Sequence, residues 1–517
     1  MPTPFHQRTI HRVFIGFWSL LLLSGMGFKL SSKLVGWPCW EDYVVPENRT
    51  PNRLPNLRTT PVKQWGTAMD LWYNDNFAWR SRLIQFYRHV HFHWLHTSVG
   101  KEEVPGKDGW IFRKGGNWAE LEDYLGVFEL SPEEIGRWLE LFEGRKQWAE
   151  AHGVLYLEVI TPVKAQIHPE KIYPMIARHR GQGVRDQVRA ALADSPARDN
   201  VLFMSDLIAG LTRQRTVFYA SDHHINALGT YMIYNEIKNA LAARLGPMDI
   251  PPFYTNNPPA AVRAGTQAGC FEKGRKDFER LYVNLPGQRD DGSSPALKRG
   301  GPYPSVSVVL TQPGARRTLV LAHDSFMRFP LSSWRFEEDP IRLPLPDGFD
   351  RILSLLFKRL TTRDLDHLVS VEQPAVIIEQ FPEIKLTREV VGYDDTMRQA
   401  AAFARATPLP AGSTPGPDTP LCVMVILENV TDPSGAWVDM RDGKNVPDIT
   451  VELHDGRTTL ASLTTYPGKR RALFFPPIHA TGHPLEVRVL NGRGQLLRLE
   501  ARRPAPPRLP GPTPAPP

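Results

Sequence analysis

Cysteine is nearly absent from this chain of 517 residues: Cys39, Cys270 and Cys422 stand far apart, with no C-x-x-C or C-x-x-C-H spacing. That scarcity disfavours a thiolate zinc site, a c-type haem and a disulfide framework. The odd count leaves at least one thiol unpaired within the chain. A surplus of one charge is also lacking. Lys and Arg number 62 against 55 Asp and Glu, a formal net charge of +7, and no run of five or six basic residues marks a nucleic-acid arm. No nucleic-acid partner is expected. With 41% hydrophobic residues the composition is globular, and the length allows about three domains.

Long apolar runs are scarce too, and only one approaches membrane length. Residues 13–28 (VFIGFWSLLLLSGMGF) carry no charge, follow His6, Arg8, His11 and Arg12, and stop at Lys29. As a helix this run rises ~24 Å against a bilayer core of roughly 30 Å, so it spans only with snorkelling flanks or a thinned bilayer. A cleaved signal peptide and a buried soluble helix are the alternatives. No A-x-A site follows, and the bulky Phe28-Lys29-Leu30 exit argues against cleavage. The expectation is an uncleaved anchor over residues 1–30 in the cell inner membrane, with the N-terminus in the cytoplasm and the rest in the periplasm.

Residues 31–61 are rich in Pro, Asn, Arg and Thr without periodicity and read as a linker. From 62 to 96, Trp65, Met69, Trp72, Tyr73, Phe77, Leu83, Ile84, Phe86, Tyr87 and Val90 recur at three- and four-residue spacings. That predicts amphipathic helices packed into a core. Lys107-Asp108-Gly109 predicts a tight turn before a strand. Ser131-Pro132-Glu133-Glu134 predicts the capped start of a helix that ends at Gly153. The apolar runs 154–160 (VLYLEVI), 201–204, 319–322 and 375–378 predict buried strands, separated by helical segments such as 225–243. Together they give an α/β fold with a doubly wound parallel sheet, inside a domain of residues 62–407. A Pro/Gly/Ser linker occupies 408–420. Short strands at 421–428, 448–453, 458–464, 471–475 and 485–490 then predict a small C-terminal β-sandwich over 421–502, and residues 503–517, with eight prolines, predict a solvated tail.

Open α/β sheets gather their ligands at the carboxyl ends of strands. The strand at 319–322 leads into His323-Asp324-Ser325-Phe326. This places a serine at a strand-to-loop junction, where its backbone N–H can also serve an oxyanion; the same pattern also suits a helix N-cap. Tyr219-Ala220-Ser221-Asp222-His223-His224 leads into the helix near 226–229. Asp222 and His224 are the residue types that a serine nucleophile requires as carboxylate and base. A helix cap at Asp222 and metal ligation by the Asp-His-His cluster stay open, although no further ligand stands at a metal-site spacing.

Five segments occur in an ordered series: Tyr73-Asn74-Asp75-Asn76-Phe77-Ala78-Trp79-Arg80, Gly106-Lys107-Asp108-Gly109-Trp110-Ile111-Phe112, Thr161-Pro162-Val163-Lys164 with Ile172-Tyr173-Pro174, Asp222-His223-His224, and Asp324-Ser325-Phe326. Over roughly residues 45–390 this series resembles the AlgJ/AlgX-like family of SGNH-hydrolase-like proteins, which O-acetylate alginate and related exopolysaccharides in the bacterial periplasm. The resemblance implies an SGNH-hydrolase-like fold in which Ser325 is the nucleophile, His224 the general base and Asp222 its orienting carboxylate, with His223 variable. It implies no metal or organic cofactor, a polysaccharide acceptor, and a membrane-bound O-acyltransferase that supplies acetyl groups. The chain departs from the family pattern at His323, where Gly is usual, and at Ile225, where Trp is frequent. Lys107-Asp108-Gly109 is expected to be a structural turn and Lys164 a solvated or helix-facing charge, with contact to the polysaccharide or acyl donor as the alternative for Lys164. The rival functions are a carbohydrate acetylesterase with the same triad and an inert polysaccharide-binding subunit.

Overall fold

Capping signals and apolar runs position the main elements of this protein. The computed structural model describes residues 12–20, 24, 52–56, 58–77, 80–95, 97, 102–212, 216–220, 223–225, 227–246, 296–299, 307–311, 317–324, 326, 349, 351–356, 359–388, 390–410, 415–431 and 449–506. The chain divides into two units, Met1–Pro105 with Val262–Phe278, and Gly106–Ala261 with Glu279–Pro517.

In the first unit, residues 12–20 are helical, with Val13, Phe14, Ile15, Phe17 and Leu20 exposed. Much of the expected anchor, including 21–23 and 25–28, lies outside the described residues. Among the described residues no helix is long and apolar enough to cross a membrane. The stripe at 62–96 forms helices Trp65–Asn76 and Arg80–His89 and a π-helical turn at Val90–Trp94. Against the expected core packing, Met69, Leu83, Phe86 and Tyr87 of this stripe are exposed, and among the described residues of helix Trp65–Asn76 none is buried; two helices of 12 and 10 residues do not enclose a core of their own. Strand β1 (Glu103–Pro105) closes the N-terminal segment of this unit.

The second unit opens with the Lys107–Gly109 turn, in which Asp108 (φ 53°) and Gly109 (φ 76°) are left-handed as Asp-Gly predicts, followed by β2 (Ile111–Arg113). Helix Pro132–His152 starts in a capping box, Ser131 with Glu134, and stops at left-handed Gly153 (φ 72°). Midway along it, a Cβ on Gly144 would stand 2.2 Å from the carbonyl oxygen of Met397. Glycine there lets the helix approach helix Asp395–Arg405 closely.

The sheet contains β3 (Leu155–Thr161), β4 (Val201–Phe203), β5 (Ala296–Arg299), β6 (Ser307–Thr311), β7 (Thr318–His323), β8 (Arg351–Leu356) and β9 (Val376–Pro382). Their order is β4-β3-β9-β7-β8-β6-β5. The first five run parallel, and β6 and β5 add an antiparallel edge. Tyr156, Ile160, Val320, Ala322, Ile377 and Phe381 point into a core built with helices Pro132–His152, Val184–Leu192, Thr362–Val371 and Asp395–Arg405. Residues of the opposite parity, Leu157, Val159, Leu319, Leu321 and Ile378, are buried as well, so both faces are covered, as an apolar parallel sheet requires. Sequence patterning located β3, β4, β7 and β9 and missed β5, β6 and β8.

After β10 (Thr407–Pro408), the C-terminal strands are β11 (Pro420–Thr431), β12 (Ile449–His454), β13 (Thr459–Thr465), β14 (Gly468–His479), β15 (Glu486–Leu490) and β16 (Arg493–Arg503). They form two antiparallel sheets, β10-β16-β11-β14 and β13-β12-β15, around Val423, Val425, Leu427, Ile449, Val451, Leu453 and Phe475. The alternate residues Cys422, Met424, Ile426, Ala472 and Phe474 belong to the same core as the parallel sheet. The expected tail from 503 is strand at Arg503, and residues 507–517 lie outside the described residues.

Candidate active site

Lys164 organises one wall of the site. It is fully buried, and its Nζ donates to the carbonyls of Ile111 (2.6 Å) and Ala220 (3.0 Å) while lying 5.4 Å from the centre of the Trp110 ring. This corrects the expectation of a solvated or helix-facing charge: the ammonium is desolvated and holds two backbone segments together. The Ile111 N–H donates to the same Ala220 carbonyl at 2.9 Å. The loop beyond is pinched by a bridge between Phe218 and Ile225 and by Tyr219 N–H donating to the His224 carbonyl at 3.2 Å.

That pinch delivers the two histidines. His223 is buried and His224 half-buried, with ring centres 4.1 Å apart. The His224 ring stands 5.5 Å from that of Phe326, and Trp118 packs on His223 at 4.7 Å and stacks on Phe326 at 5.5 Å. Two motifs separated by about a hundred residues thus adjoin through His224 and Phe326. Ser325 and Asp222, the expected nucleophile and orienting carboxylate, lie outside the described residues.

The turn after β7 is held from both sides. Asp324 N–H donates to Gln380 Oε1 at 3.1 Å, and the Gln380 amide donates to Thr161 Oγ1 at 2.9 Å. Phe326 N–H donates to Asp324 Oδ1 at 2.9 Å, an Asx-turn across position 325. His323 Nδ1 lies 2.7 Å from the Asp324 carbonyl and its Nε2 2.7 Å from Ser354 Oγ. Among the described non-glycine residues, positive φ is confined to Asp108, Gln373, Asp418, Asn429 and Asn491. His323 therefore keeps ordinary strand backbone, and its side chain is bonded where the family pattern has none. Thr161, His323 and Gln380 all stand at carboxyl ends of parallel strands, where this fold class gathers its chemistry.

Burial pushes the Asp324 carboxyl up to about 6, against the opposing pull of hydrogen bonds from Phe326 and Gln380 and the nearby His224 and Lys385. Burial and the neighbouring Arg388 lower Lys385, while Asp324 raises it. Deeper in, burial raises Glu383 to about 8 despite Arg185; its carboxylate accepts from Val163 N–H at 3.0 Å and from the Ser205 hydroxyl at 3.3 Å. Among the described residues no group of three or more His, Cys, Asp or Glu is arranged to hold a metal ion.

Residues 104–279 match the family model for the SGNH hydrolase-like domain of the acetyltransferase AlgX. This agrees with the AlgJ/AlgX-like resemblance of the ordered motifs. The AlgX-type match contains His224, and Ser325 follows beyond its end. No curated protein matches the chain. Among solved structures, the O-acetyltransferase domain of Pseudomonas putida AlgJ is similar at 15% identity, over 58% of this chain and 98% of that one, with a TM-score of 0.34. Pseudomonas aeruginosa AlgX is similar at 15% identity, over 81% and 98%, with a TM-score of 0.33. Bacillus cereus PatB1 with a sulfonyl adduct is similar at 11% identity, over 57% and 96%, with a TM-score of 0.37.

Motif reading missed Gln380, Trp118, Lys385 and Glu383. Thr161 stood inside a quoted motif without a role. The available signal was Glu379-Gln380 interrupting the apolar run of β9, since a polar side chain inside a buried strand needs partners.

Proposed function

We propose that this protein is an O-acetyltransferase that moves acetyl groups onto hydroxyls of a secreted polysaccharide through an acetyl-serine. The observation that carries the reading is the contact of His224 with Phe326, which brings the base-bearing loop against the turn of the nucleophile motif at the carboxyl ends of the parallel strands. Ser325 Oγ attacks the acetyl carbonyl as its proton passes to His224, and the leaving group departs with that proton. His224 then takes the proton of a sugar hydroxyl as its oxygen attacks the acetyl-serine and returns that proton to Ser325 Oγ as the ester bond to serine breaks, which regenerates Ser325 and yields the sugar ester. Asp222 holds the imidazole tautomer and stabilises its charged form. The N–H of Ser325 serves the oxyanion.

The apolar run 13–28 with its basic flank supports attachment to the inner membrane with the catalytic unit in the periplasm. A membrane-bound O-acyltransferase supplies the acetyl group. The experiment incubates residues 45–517 with an activated acetyl ester and a panel of oligosaccharides and analyses the products by mass spectrometry. An oriented hydroxyl outcompetes water because effective molarities of positioned groups reach about 10⁵ M or more. Acetylated sugar that disappears in Ser325→Ala is the expected result. Acetate release unaffected by every acceptor, including the host's own polymer, would instead identify an esterase.

A further inference from the structure

We infer that Gln380 is the positioning residue of the nucleophile turn, the link through which the centre of the sheet holds Asp324 and, through it, Phe326 on either side of position 325. The inference rests on the proposed role of Ser325. Gln380 is 1% exposed and belongs to β9, which lies between β3 and β7. Its amide touches both neighbours: Nε2 donates to Thr161 Oγ1 on β3, and Oε1 accepts the N–H of Asp324 just past β7. The amide cannot be turned round. A flipped side chain would set its NH₂ against the Asp324 N–H, donor against donor, at a buried amide.

Thr161 is itself fully buried, so the anchor at the far end is as fixed as the strand that carries it. The chain of bonds then continues, because the Asp324 carboxylate accepts the Phe326 N–H. The backbone N–H groups on both sides of position 325 are thereby bound within the protein, one by Gln380 and one by Asp324. A one-ångström displacement of a reacting group can cost about a hundredfold in rate. A buried side chain that bonds the residue preceding the nucleophile and is anchored two strands away suits that demand. The same amide favours the ionised form of Asp324, so its replacement is felt electrostatically as well as geometrically.

The test compares wild type with Gln380→Leu, Gln380→Glu, Thr161→Val and Ser325→Ala, following acylation by p-nitrophenyl acetate in single turnover, with folding checked by circular dichroism. Gln380→Leu keeps the bulk and loses both bonds; its acylation rate should fall by about tenfold or more with KM unchanged. Gln380→Glu keeps an acceptor for the Asp324 N–H and accepts from the Thr161 hydroxyl. It should recover most of the rate at high pH, while its added negative charge beside Asp324, whose carboxyl already feels His224, moves the acid limb of the profile upward. A folded Gln380→Leu that acylates like wild type, or a Gln380→Glu profile that does not shift, overturns the inference. If Gln380→Leu does not fold, Thr161→Val decides: a several-fold loss supports the inference and a wild-type rate overturns it. Ser325→Ala separates the two levels. A dead Ser325→Ala beside a fully active Gln380→Leu removes the positioning role alone, whereas an active Ser325→Ala removes the nucleophile and this inference with it.

Discussion

Glu383 shows at the scale of one residue how the surroundings of the site set protonation. Burial lifts its carboxyl to about 8 from an ordinary 4.5, even with Arg185 nearby. Below about 4.5 both the folded and the unfolded chain hold the proton; as pH rises toward 8 the folded state keeps a proton that the unfolded state releases, and stability is lost across that window. Gln is neutral and preserves an acceptor for the Val163 N–H. Glu383→Gln should therefore be nearly neutral for stability at pH 5 and increasingly stabilising toward pH 9. The difference amounts to about 1.4 kcal/mol per pH unit of the window. Urea melts of both proteins at the two pH values check this, and a pH-independent difference would contradict it. At this scale the sequence was least transparent. Lys164 reads as a surface charge because its partners, Ile111 and Ala220, are remote in the chain, and no local pattern announces them. Gln380 is hidden in the same way.

Among elements, β14 shows how the sandwich is joined to the helices of the parallel-sheet layer. Arg471 is 1% exposed and donates to the carbonyls of Tyr466 and Pro467 beside its own strand, and to Ser370 Oγ and the Asp366 carbonyl on helix Thr362–Val371. Its charge also acts on the half-buried Asp366 carboxyl, which desolvation raises to about 6. Arg471→Met should cost about 1–3 kcal/mol at pH 8, because it leaves the acceptors of its hydrogen bonds without a donor and removes the cation near the Asp366 carboxylate. The loss should shrink at pH 5, where Asp366 takes up a proton. Thermal melts at both pH values provide the check, and an equal loss at each would contradict it. Elements with local signals were legible: the helix from Ser131 to Gly153 is written in its caps, and β3 in its apolar run. β16 was not, since its sequence RGQLLRLEARR is polar and partly exposed, and it is a strand because β11 and β10 flank it.

On the scale of the molecule, the strands of β11 and β14 are apolar on both faces because they close two cores, that of the sandwich and that of the parallel sheet. The run LCVMVIL in β11 announced a buried strand, yet only the topology reveals that its alternate residues serve different layers. The same topology brings the carboxyl ends of β3, β7 and β9 together and sets His224 beside Phe326, so two residues about a hundred positions apart in the chain become neighbours. The central claim is that this place makes an acetyl-serine. The measurement that tests it most directly is peptide mapping by mass spectrometry of the protein quenched during turnover of an activated acetyl ester, with His224→Ala as comparison. One acetyl group on Ser325, formed rapidly in the wild type and at a strongly reduced rate in His224→Ala, is the predicted result. Turnover with Ser325 unmodified throughout, or an acetyl group that accumulates on another residue, would contradict the account.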